Sequence, residues 1–161
     1  ITFKDAVMHQ TVKGIYMKTR WRDGPPPGED IAGITDILYQ NITIYEPSQF
    51  AIWIGPAQQS ESGSTCSLLW PHFDSTCKIT GYHTWRNITL RDIYVHNALQ
   101  SPGVLMGNTT NPMIDIKFEN VVFTDFNKRT KPWGETYYCP QGGVKGQSSG
   151  SVPSADCLTV V

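Results

Sequence analysis

Residues able to do chemistry are sparse in this chain. Lys18 follows Tyr16 by two positions, and after Thr19 come Arg20, Trp21 and Arg22. Two cations around an indole suit an anionic sugar, through charge and ring stacking, or else clasp a loop in place by cation–π contact. The cysteines fall in two local pairs, Cys66 with Cys77 and Cys139 with Cys157. Each pair brackets a loop-like segment, so sequential pairing is predicted. One bridge would staple the insertion between Pro56 and Trp85, and the other would close the Gly/Ser-rich stretch from Gln141 to Pro153. The rival use of Cys66, His72, Cys77 and His83 as metal ligands has a spacing unlike that of a zinc site. Neither a metal nor any other cofactor is expected. Asn41, Asn87 and Asn108 each open an Asn-x-Thr sequon. Together with paired cysteines they predict a secreted, extracellular glycoprotein. Asn41 lies at a corner, Asn87 just before a strand, and Asn108 in a turn. His9 and His96 have no carboxylate at a telling spacing, so no catalytic role is assigned to either.

The elements that must position these residues follow one repeated pattern: apolar, any, apolar, any, Asn or Asp, apolar, any, apolar. It occurs at 1–8, 37–44, 88–95 and 116–123. Alternation has the period of a strand, and the phase breaks at Asp5, Asn41, Asp92 and Asn120. Asn and Asp tolerate left-handed backbone angles and bond nearby amides, so a corner is predicted there and the two aspartates read as structural. A second apolar strand follows at Gly14–Met17, Ala51–Ile54 and Gly103–Met106. Successive repeats start 36, 51 and 28 residues apart, which places insertions in the first two. Strand, corner, strand, repeated, predicts an all-β parallel β-helix, a solenoid of about four coils with a disulfide-closed C-terminal tail. Trp53, inside an apolar strand, is expected to pack.

A formal charge of −1 offers no electrostatic ground for nucleic acid, and no apolar run approaches the length of a membrane span. The first residue already lies inside a repeat. Residues 1–161 are therefore expected to be the C-terminal part of one β-helix domain, with the N-terminal coils of the same polypeptide as its first partner.

In order of elements, Gly14-Ile15-Tyr16-Met17-Lys18-Thr19, Asn41-Ile42-Thr43-Ile44, Asn87-Ile88-Thr89-Leu90 and Cys139…Val144-Lys145-Gly146…Pro153…Cys157 resemble the C-terminal part of polygalacturonases, the family 28 glycoside hydrolases. The resemblance spans nearly the whole chain. It implies a right-handed, pectin-lyase-like fold and inverting hydrolysis of a cell-wall polysaccharide by paired carboxylates. Those carboxylates lie upstream in the family, in Asn-Thr-Asp and Asp-Asp motifs followed by Gly-His-Gly, and no catalytic residue falls within this chain. Lys18 matches the lysine that meets the acidic sugar's carboxylate. Tyr16 stands where the family has arginine; it can stack on a sugar but cannot clamp a carboxylate bidentately. Lys18, Tyr16 and Arg20 are the expected substrate-binding residues. The alternative is a non-catalytic glycoprotein with a structural or carbohydrate-binding role in an extracellular assembly.

Overall fold

A computed structural model describes residues 1–19, 33–56, 68–69, 72–73, 81–127, 132–140 and 142–159. Among them the chain forms strands and no helix, as its load of Val, Ile, Thr, Tyr and Phe in alternation dictates. Strands β1 (Thr2–His9), β3 (Gly33–Tyr45), β7 (Thr84–His96), β9 (Met113–Thr124) and β10 (Val144–Ser149) make one sheet. They lie in the order β1-β3-β7-β9-β10, and each pair is parallel. A second parallel sheet holds β2 (Ile15–Thr19), β4 (Ile52–Pro56) and β8 (Gly103–Leu105), in that order. A short antiparallel pair joins β5 (Leu68–Leu69) to β6 (His72–Phe73).

This architecture corrects the expectation of an all-β parallel β-helix of about four coils. The described residues form two parallel sheets of five and three strands, not a solenoid of equivalent coils. The physical reason lies at the expected corners. β3, β7 and β9 run unbroken through Asn41, Asp92 and Asn120, and pairing stays in register on both sides of each. One left-handed residue bends a strand without ending its ladder. The disulfide between Cys139 and Cys157 is present, closing the tail.

Among the described residues, left-handed residues other than glycine occur in three columns, where the sequence pattern predicts one. Asp5, Asn41, Asp92 and Asn120 have φ of 57°, 54°, 54° and 56°. Asp36, Asn87 and Asp115 form a second column at 56°, 54° and 60°, and Gln10, Glu46, Asn97 and Asp125 a third at 51°, 52°, 53° and 55°. The columns stand five residues apart in the chain, the first two within β3, β7 and β9 and the third just past their ends. Between them four residues alternate, the first and third facing inward; the left-handed residue then restarts the phase. Ile88 and Leu90, Ile93 and Val95, Ile116 and Phe118, Val121 and Phe123 are the inward pairs, all buried. Each such side chain contributes about 1.5–3 kcal/mol of burial.

The two sheets close on each other over this core, with Ile15, Met17, Ile52, Ile54 and Leu105 facing it from the second sheet. Spacing there leaves no room for a side chain at Gly103: a Cβ would sit 2.3 Å from the Ile52 carbonyl oxygen. The two ends of the first sheet differ. Beyond β9, β10 and the tail bridges Val122–Val152 and Lys145–Thr159 continue the pairing. At the other end β1 is the edge strand among the described residues, and Ile1, Phe3 and Val7 are 74%, 49% and 63% exposed. Phe3 belongs to the inward column Phe3–Tyr39–Leu90–Phe118, so core-facing surface is open there.

Candidate functional site

The outer face of the second sheet is built from alternate residues of its strands. Ile15 and Met17 go inward, which sends Tyr16 and Lys18 outward from the edge strand β2. Next to Tyr16 in the ladder stands Trp53, and next to that Val104. Trp53 is fully buried: Phe50, Val104 and Met106 pack around it, and its indole N–H donates to the Pro56 carbonyl at 2.9 Å. Trp133 stacks on both Tyr138 and Phe50, closing the far side of this apolar patch. Tyr16, Trp133 and Tyr138 at its margins are partly buried.

At that end two cations meet one ring. The ammonium groups of Lys13 and Lys18 each lie 4.8 Å from the Tyr16 ring centroid, and Lys13 is also 5.7 Å from Trp53. Tyr16 meets Trp53 edge-on, with centroids 5.9 Å apart and planes at 80°. Lys13 donates to Gln49 Oε1 at 2.6 Å, which fixes its head. Burial first, and then the charge of Lys18, together lower its pKa from 10.5 to about 8. Neither lysine has an ion-pair partner among the described residues, whose salt bridges are Arg91–Glu119 and Lys117–Asp115. Two ammonium groups at one aromatic ring, the first of them half-desolvated and repelled by the second, can offer charge-assisted hydrogen bonds to an anionic group beside that ring.

Of the expected substrate-binding residues, Tyr16 and Lys18 come together, while Arg20 lies outside the described residues, as do Trp21, Arg22, Cys66 and Cys77. Lys13 was not legible as a partner. It sits in the turn before β2, where strand alternation says nothing, and its three-residue distance from Tyr16 acquires meaning only when the chain folds around Gln49.

The sequons divide by position. Asn41 Nδ2 donates to Asp5 Oδ1 at 2.7 Å, within the first left-handed column. Asn87 lies inside β7, not ahead of it: its Nδ2 donates to Asp36 Oδ1 at 2.7 Å and holds that carboxyl below its ordinary pKa. Asn108 Oδ1 accepts from the amide and hydroxyl of Thr110 and from the Asn111 amide, shaping a turn. His9, Tyr45 and His96 stack face to face at 4.9 Å intervals along neighbouring strands, with His96 Nδ1 2.7 Å from Thr124 Oγ1. Comparison with protein-family models, with curated proteins and with solved structures finds no match to this chain.

Proposed function

We propose that this chain is the C-terminal part of a secreted, polygalacturonase-like glycoside hydrolase, and that Lys13, Tyr16 and Lys18 bind a carboxylate-bearing sugar of an extracellular polysaccharide. The observation that carries the reading is the convergence of two ammonium groups on the Tyr16 ring with no ion-pair partner among the described residues. It rests on site chemistry and on the motif order, and does not depend on a coiled solenoid. Here Lys13 supplies a second cation where the resembled family has arginine, which compensates in charge for Tyr16 though not in bidentate geometry. Catalytic carboxylates come from residues outside this chain. The exposed Ile1, Phe3 and Val7 on the β1 edge support an upstream strand of the same polypeptide packing there.

A second reading, a carbohydrate-binding glycoprotein without catalysis, is favoured by one observation: the Tyr16 ring is held by Trp53 and both lysines, as a binding plate would be. Titrating the native polypeptide with a uronic-acid trisaccharide tests the site. Lys18→Gln and Lys13→Gln should each weaken binding about tenfold, the worth of one charge-assisted hydrogen bond. Binding unchanged in both variants would sink the reading. Release of reducing ends by the native polypeptide separates enzyme from binding protein.

A further inference from the structure

The third left-handed column opens onto a cavity. It measures about 320 Å³ and is lined by Gln10, Glu46, Ser48, Leu99 and Asn127. Gln10 and Glu46 are consecutive members of that column, with φ of 51° and 52°, and the unusual backbone angle swings both side chains off the strand ends. Gln10 Nε2 donates to Glu46 Oε2 at 3.0 Å. That bond orients the pair and leaves Glu46 Oε1 and the Gln10 carbonyl without a protein partner among the described residues. Leu99 supplies an apolar wall and Ser48 a hydroxyl. Its volume lies at the small end of the range for ligand pockets, room for a single ring.

We infer that this cavity is a subsite for one uncharged, hydroxyl-rich sugar ring, linked to the lysine cluster through the backbone of Ser48 and Gln49. The carboxylate of Glu46 accepts hydrogen bonds from sugar hydroxyls and repels a uronate, the opposite preference to that of Lys13 and Lys18. Leu99 packs against the C–H face of the ring. The two sites are joined by two stacked turns. Ser48 N donates to Thr11 O and Gln49 N to Val12 O, each at 2.9 Å, and Gln49 holds Lys13. Ser48 thus faces the cavity while its neighbour orients the lysine. The ligand that satisfies both is an acidic polysaccharide bearing neutral residues next to its uronates, an inference that rests on the acidic-sugar reading of the lysine cluster.

Amide chemical shifts of the isotope-labelled chain provide the test, with a neutral galactose trisaccharide and a uronic-acid trisaccharide as separate probes. The neutral probe should move the amides of Gln10, Glu46, Ser48 and Leu99, and Glu46→Gln should weaken it about tenfold with the rest of the spectrum unchanged. No shift at the cavity, or equal affinity in Glu46→Gln, overturns the subsite. A uronate probe that moves nothing around Lys13 to Lys18, with the cavity still responding to the neutral sugar, removes the acidic-sugar reading instead.

Discussion

Lys13 sets the chemistry of the site at the scale of single residues, because its charge depends on pH within the range in which proteins are handled. Folding lowers its pKa from 10.5 to about 8 through burial. Between those values the unfolded chain holds the proton and the folded chain releases it, so the unfolded state binds more protons and stability rises with pH across that window. Below about pH 8 the cost of the buried charge is present in full. Anion binding has the opposite dependence. Affinity for a uronic-acid trisaccharide should be flat below about pH 8 and fall above it as Lys13 is neutralised, and calorimetric titration across that range measures it. Lys13→Arg, charged throughout, should abolish the fall. Persistence of the same profile in Lys13→Arg would assign the titration to another group.

Elements are bent by the left-handed residues, and the cost of replacing one can be divided into backbone and side-chain parts. Asn120 Nδ2 donates to Asp92 Oδ1 and to the Tyr94 hydroxyl, both at 2.8 Å, while its φ is 56°. Asn120→Ala loses the bonds and adds the strain of a left-handed alanine, roughly 1–2 kcal/mol for the backbone alone. Asn120→Gly loses the same bonds but keeps the angle without steric penalty. Denaturant unfolding should therefore rank wild type above Asn120→Gly and Asn120→Gly above Asn120→Ala. Equal stability of the two variants would mean that side-chain bonding, not backbone angle, selects asparagine here. The Asp5–Asn41 and Asp36–Asn87 pairs repeat the same carboxylate-to-amide contact one rung apart, which keeps like charges from facing each other directly in those pairs.

For the whole molecule, the asymmetry between its two ends matters most. At one end the tail is tied by Cys139–Cys157, 18 residues apart, and bridged to β9 and β10. A closed loop of that length removes about 3 kcal/mol of unfolded-state entropy. Cys139→Ser with Cys157→Ser should lower unfolding stability by about that amount, and reduction of the native chain, which opens any Cys66–Cys77 bridge too, should lower it at least as much. Little change in either would show that the tail is held by its packing alone, through Ala155 and Leu158 in the core. At the other end β1 has, among the described residues, no strand on its outer side and an exposed Phe3, in keeping with a strand docking there.

Period-two alternation let the sequence determine where strands form, because inward and outward residues must differ wherever one face is buried. Ile88–Leu90 and Ile116–Phe118 were legible in this way, and so was the left-handed role of Asn41, Asp92 and Asn120. Proximity of two cysteines around a loop likewise made the Cys139–Cys157 bridge legible. Tertiary structure alone decided whether a left-handed residue ends a strand or only bends it, since that depends on neighbouring strands holding register past it. The second and third columns, at Asp36 and Glu46, are not legible in the sequence because only one phase break falls inside the short repeat. Tertiary structure also recruited Lys13: a turn residue carries no periodic signal, and its place over Tyr16 is set by Gln49, 36 positions away along the chain.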